Sequence, residues 1–238
     1  MSPDLALRRR ARELREVMDD PACDPARLER TYAQFAVLNQ LLGHWREAWR
    51  DVLRPVARTA AADGRPARLL DIGCGGGDLA RRLAGWAARD DVPLEIVAID
   101  PDARALAYAR RRATPPTVRY LARDVRDLAA EGAGFDLVVS NHVVHHLAED
   151  EVRELLDASA RLARGAALHN DLRRTPWAIP AFAAFSLPFR GSFVREDGFR
   201  SIRRSFTPAE LRALAPPGWR VRPVGRFRQW LLHGAGPP

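Results

Sequence analysis

The run Asp71-Ile72-Gly73-Cys74-Gly75-Gly76-Gly77-Asp78 constrains this chain more than any other segment. Arg68 to Leu70 before it read as the end of a buried strand, and Leu79 to Ala88 after it read as a helix. Glycines at alternate positions let the backbone turn sharply and come close to a bound molecule. With the carboxylate of Asp71 at the strand end, the pattern predicts a nucleotide-type site at the carboxyl edge of a parallel sheet. The dinucleotide fingerprint G-x-G-x-x-G would need a third glycine where Asp78 stands. The phosphate loop G-x-x-x-x-G-K-[ST] fails as well, because the chain contains no lysine.

Strand and helix signals alternate from Ala67 onward, which predicts an α/β fold with helices on both faces of a mostly parallel sheet. The expected strands are Arg68–Ile72, Leu94–Ile99, Thr117–Leu121, Phe135–Ser140 and Gly165–Asn170. Trp219–Val224 and Phe227–Leu232 form a final hairpin about Gly225. Helices are expected at Pro101–Ala113, with proline in its first position, and at Glu149–Leu162, whose Val152, Leu155, Leu156 and Leu162 face inward. Residues 1–62 carry no strand pattern and read as a helical appendage or lid. Its helices are Leu5–Met18, a second one opened by Asp24-Pro25, and a third from about Trp45 to Thr59. The remainder, 63–238, reads as the main domain. Within it, 173–206 is an insertion whose apolar stretch, Pro176 to Phe189, is broken by prolines. Phe182, Phe185 and Phe189 fall on one helical face there, and Thr207-Pro208-Ala209-Glu210 is a capping box opening the next helix.

Composition narrows the functional classes. No stretch reaches the roughly 20 apolar residues of a membrane span. The N-terminus lacks an apolar signal-peptide core, and Cys23 and Cys74 cannot make a disulfide framework, so a reduced, cytoplasmic protein is expected. No metal is expected. The net charge of +8 invites a nucleic-acid partner. The arginines are dispersed among acidic residues, however, and Arg8–Arg10 and Arg110–Arg112 are the only triples, which reads as solvated helix faces.

The spacing D-x-G-x-G-x-G of Asp71, Gly73, Gly75 and Gly77 resembles motif I of the class I methyltransferases, which bind S-adenosylmethionine (SAM) and release S-adenosylhomocysteine. The resemblance covers about residues 65–238 and implies a Rossmann-like seven-stranded sheet with an antiparallel C-terminal hairpin. It also implies roles for named positions. Asp71 would support the glycine loop and the SAM amino group. Asp100 and Pro101 lie at the tip of the second strand, 23 residues after Gly77, where the family's acid accepts both ribose hydroxyls. Asp124 and Val125 would meet the adenine, with Asp127 a competitor. Ser140 and Asn141 would face the methionine part. Absence of N-P-P-[YF] after Val139 and of a Pro-Cys nucleophile argues against DNA and RNA substrates.

Histidines cluster where the resemblance places the acceptor, at His142, His145 and His146, with His169 on the fifth strand. A phenolic or enolic acceptor needs a base, and histidine suits the role at neutral pH. His142 is the first candidate and His146 the second, with Asp171 able to orient a histidine or to pair with Arg173 or Arg174. His169 reads as a core residue. The His145-His146-Leu147 turn, the Asp171–Arg174 and Phe206–Leu211 segments and the apolar insertion resemble methyltransferases of polyketide and other specialised metabolites, and more distantly those of ubiquinone and menaquinone. They imply O-methylation of a small phenolic or polyketide-type metabolite by a monomer or homodimer. C-methylation of a quinone or phenol ring, RNA methylation, and SAM binding without catalysis are the alternatives.

Overall fold

Leu69 and Leu70 are both fully buried although they point to opposite sides of their strand. A strand covered on both faces reads as a continuous apolar run, which is how parallel strands look in sequence. In the computed structural model, which describes residue 7 and residues 9–234, the parallel strands are β1 (Ala67–Ile72), β2 (Leu94–Ile99), β3 (Val118–Leu121), β4 (Phe135–Asn141) and β5 (Ala163–Leu172), and only edge strand β3 alternates buried and exposed residues along its whole length. The hairpin strands β6 (Arg220–Val224) and β7 (Arg228–Gly234) complete a seven-stranded sheet of order β3-β2-β1-β4-β5-β7-β6. The first five strands pair in parallel, and β7 runs antiparallel to both of its neighbours. The expected Rossmann-like class is therefore found. Gly165–Asn170 is only the centre of β5, which is extended at its start by Ala163 pairing with Phe135 of β4 and at its end by pairing with β7 as far as Leu172↔Arg228.

Helices precede and surround the sheet: α1 (Pro25–Leu42), α2 (Trp45–Ala48), α3 (Arg54–Ala62), α4 (Asp78–Arg89), α5 (Ala103–Arg111), α6 (Val125–Ala130), α7 (Glu149–Leu162), α8 (Ala178–Phe185), α9 (Val194–Arg204) and α10 (Pro208–Leu214). One face of the sheet packs Leu69, Ile96 and Val139 against Trp49 and Leu53 and against Leu83 and Trp86 of α4. The other packs Leu70, Val97 and Val138 against Val152 and Leu156 of α7 and Leu211 of α10. Asp24 caps α1 by accepting the amides of Ala26 and Arg27 at 2.8 and 3.0 Å. A π-helical turn, Trp49–Leu53, joins α2 to α3 just ahead of Pro55. Widening the helix there accommodates a residue that has no N–H and whose ring would crowd the carbonyl four residues back. Thr207 and Glu210 cap α10 reciprocally, as the capping box predicts.

Two local expectations change. The predicted helix Leu5–Met18 is absent over residues 9–16, and only a 3-10 turn, Val17–Asp19, follows; most of residues 1–8 lie outside the described residues. Arg10, which reads as part of a solvated face, turns inward and donates to the carbonyls of Arg204, His145 and Leu147. Residues 9–24 form an irregular strap crossing the carboxyl edge of the sheet. The helix expected from Pro101 begins instead at Ala103 with Asp102 as its cap, because Asp100 is engaged in the turn before it.

Candidate functional site

The carboxyl ends of β1, β2, β4 and β5 lie side by side, and antiparallel β7 brings its first residue to the same edge. A cavity of about 580 Å³ opens there, within the range of small-molecule sites. Gly73, Gly75 and Gly77 all have left-handed backbone, with φ of 65°, 51° and 71°. A Cβ on Gly73 would stand 2.5 Å from Val143 Cγ2, so glycine is required there for space as well as for conformation. Gly73, Cys74, Gly75 and Gly76 line the cavity; Gly77 instead lies against Tyr120.

Acid groups surround this loop. Asp100 accepts the Gly75 amide through Oδ2 and the Asp102 amide through Oδ1, each at 2.8 Å. Each oxygen keeps lone-pair capacity, and the carboxylate and Pro101 both line the cavity. Asp71 is 1% exposed, and its Oδ2 has no hydrogen-bond partner. Burial, reinforced by Asp78 and Asp100, pushes the Asp71 carboxyl well above the usual range. A buried carboxyl group in this position calls for a cation or strong donor. Asn141, at the end of β4, also lines the cavity with a buried and unpartnered Oδ1.

The histidines occupy three different environments. His142 has left-handed backbone, φ 62°, and its amide donates to Asn170 O. Its ring lies between the glycine edge and Phe35, with which it stacks at 6.2 Å. Asn39 of α1 gives its amide hydrogens to Asp78 at 3.2 Å and thereby turns Oδ1 toward His142 Nε2, also at 3.2 Å. That pairing assigns the proton to Nε2 and leaves Nδ1 as an acceptor. Burial, then the charges of Arg228 and His145, hold His142 well below the ordinary histidine pKa. It is a neutral imidazole.

His145 is the opposite case. Its Nδ1 meets Asp171 Oδ1 at 2.6 Å, and its Nε2 meets Glu16 Oε1 at 3.3 Å. Burial opposes the charge, but the two carboxylates outweigh it and raise His145 to about 9. Glu16 in turn is drawn down to about 2 against its own burial by His146, His145 and a hydrogen bond from Ser201. His146 lines the cavity between Glu16 at 3.7 Å and Asp19 at 3.4 Å. Asp171 thus orients His145, not His142, His146 or the neighbouring arginines.

Other expected residues lie elsewhere. Asp124 and Val125 do not line the cavity. Asp124 caps α6 through the Arg126 amide and pairs with the Arg126 guanidinium at 2.9 Å, while Val125 packs against the α7 side of the sheet. Ser140 is fully buried, with its hydroxyl 2.7 Å from His169 Nδ1, so it serves the strand interior and not the cavity. His169 is likewise buried. Conversely, Glu16, Asn39 and Arg228 reach the site without having been singled out. Asn39 and Arg228 each leave a trace, as a polar residue interrupting an apolar row; Glu16 in its charged segment leaves none. The far wall is apolar, built from Phe35 and Leu38 of α1, Phe182 and Phe185 of α8, Ile202 of α9 and Phe227. Gly198 lets Phe182 lie against α9, where a Cβ would come within 2.1 Å of its ring.

Residues 69–165, from β1 into the start of β5, match the family model described as a methyltransferase domain. That stretch is a methyltransferase domain. An uncharacterized methyltransferase of Mycobacterium tuberculosis is 40% identical over 79 residues, 33% of this chain and 37% of that protein. The ubiquinone biosynthesis O-methyltransferase of Xanthomonas oryzae pv. oryzae is 33% identical over 164 residues, 65% of this chain and 63% of that protein. The chain thus spans little more than a third of the length of the first of these relatives and under two thirds of the second. The fold of the methyltransferase domain is also that of the plantazolicin methyltransferase BpumL, solved with S-adenosylhomocysteine. The TM-score is 0.55 and the identity 12%, over 88% of this chain and 96% of that one.

Proposed function

We propose that this chain methylates a hydroxyl of a small, largely apolar phenolic or polyketide-type metabolite, using SAM. The observation that carries the reading is that one cavity joins the glycine and acid edge to a neutral histidine and an aromatic wall. The residues present fit the cofactor: the unpartnered Asp71 Oδ2 suits an ammonium group, and Asp100 has capacity left for ribose hydroxyls. Gly73, Gly75, Pro101 and Asn141 would complete its cradle. SAM supplies, when bound, a methyl group on a sulfonium that is an excellent leaving group.

The chain's own contribution is alignment and proton handling. Holding the acceptor oxygen in line with the methyl can supply roughly 7–11 kcal/mol of the barrier. His142 Nδ1 is the base in this reading, receiving the hydroxyl proton while Asn39 fixes the ring through Nε2. His145, already protonated between two carboxylates, anchors the site, and His146 is the second candidate base. The wall of α8 and α9, with α1 and the strap as a lid, keeps water from the reacting atoms. Among the described residues no helix is long and apolar enough to cross a membrane, and we place the enzyme in the cytoplasm as a monomer or homodimer.

A phenol panel assayed for S-adenosylhomocysteine release tests the proposal, alongside calorimetry with S-adenosylhomocysteine. Absence of measurable binding by calorimetry would remove the cofactor assignment. Binding with no turnover on any phenol would remove the acceptor class.

A further inference from the structure

Arg228 is the first residue of β7, and alternation places it in the same row as Trp230 and Leu232, which are buried in the core. Arg228 itself is 4% exposed and lines the cavity. Its Nη1 is buried without a hydrogen-bond partner, and no carboxylate lies within ion-pair distance of it among the described residues. The acidic group that acts on it, Asp171, is already committed, because its oxygens accept from His145 Nδ1, the His145 amide and the Leu172 amide. Retaining a guanidinium in such a place is costly unless an anion completes it.

We infer that Arg228 is an acceptor-binding residue that receives an anionic oxygen of the substrate, a carboxylate or a phenolate, beside His142. The inference rests on the methyltransferase reading and narrows its acceptor to aromatic molecules that carry an acidic oxygen. Three observations agree with it. Guanidinium presents several donors in a fixed plane, which suits carboxylate and phenolate oxygens. Phe227 and Phe182 supply an apolar surface in the same cavity for the ring that bears the oxygen. Burial lowers Arg228 only to about 10, so it remains charged at neutral pH, and that charge helps keep His142 neutral.

Calorimetry on the full chain saturated with S-adenosylhomocysteine tests this with benzoate, benzamide and 4-nitrophenol, whose ionised form absorbs visible light. Benzoate binding at least about tenfold tighter than benzamide, with the preference lost in Arg228→Gln and largely kept in Arg228→Lys, supports a carboxylate. Equal binding of those two, but a nitrophenolate band that grows on the wild type and not on Arg228→Gln, supports a phenolate. Thermal melting of Arg228→Met without ligand should show a Tm at or above the wild type, because an uncompensated buried charge is removed. Equal benzoate and benzamide binding with an unchanged nitrophenol spectrum overturns the assignment. If S-adenosylhomocysteine itself fails to bind the wild type, it is the underlying methyltransferase reading that falls.

Discussion

Raising the pH should loosen the strap, and His145 should be the reason. Glu16 lies on the strap, His145 follows β4, and Asp171 lies in β5, so the imidazolium ties three separate segments together. Its pKa rises from 6.5 to about 9 in the fold. A group raised in this way contributes its full stability below its unfolded pKa and loses it as the pH climbs through the folded value. At about 1.4 kcal/mol per unit, the loss attributable to His145 is about 3 kcal/mol. The Glu16 shift reports the same contact from the other side and is not added. Glu16 is held at about 2, so its contribution survives to acid pH and leaves the alkaline window to His145. Asp197, which accepts the strap amides of Val17 and Met18, titrates near 6 and is common to both proteins compared. Urea unfolding at about pH 6.5 and about pH 10 is to be measured for the wild type and His145→Gln. The wild type should lose about 3 kcal/mol more than the variant. In parallel, trypsin cleavage after Arg12 and Arg15 should accelerate at the higher pH in the wild type. Equal losses in the two proteins would refute the reasoning, because every other titrating group is shared.

Three further outcomes follow from the site. Asp100→Ala should weaken S-adenosylhomocysteine binding by roughly 1.5–3 kcal/mol in calorimetry, since hydrogen bonds donated to a charged carboxylate are lost; unchanged affinity would retire the ribose assignment. His142→Ala should reduce turnover on a competent phenol by roughly 10²–10⁴-fold while cofactor affinity stays within about twofold, and wild-type turnover would remove it from the mechanism. Gly73→Ala should lower the urea midpoint more than Gly64→Ala does. Both positions have left-handed backbone, worth about 1–2 kcal/mol against alanine, but only Gly73 also meets Val143; equal midpoints would show that Val143 gives way freely.

The central strands were legible because burial on both faces leaves each one mostly apolar, and Leu94–Ile99 is found with the bounds the sequence implies. The carboxyl end of β5 was not, because it depends on a partner strand more than fifty residues further along the chain. The strap was misread as a helix because its arginines and glutamates have helical composition, while their hydrogen bonds go to distant carbonyls and to His145. In the site, the glycine loop, Asp71, Asp100 and Asn141 could be located by their positions at strand ends, which topology fixes. Asp124 follows a short strand and a turn, and in the fold it serves as a helix cap paired to Arg126. Asn39 and Arg228 interrupt apolar rows on α1 and β7, a signal that becomes readable once those rows are known to face a cavity.

The reversed direction of β7 has a consequence for how this protein can be altered. The proposed cofactor edge comes from one uninterrupted stretch of chain, Asp71 to Asn141, inside the region matched by the family model. The opposite wall is gathered from pieces on either side of that stretch: α1, α8, α9 and the Phe227-Arg228 corner. Exchanging the outer pieces between related enzymes should therefore redirect which molecule is modified without disturbing the stretch that carries the methyl donor.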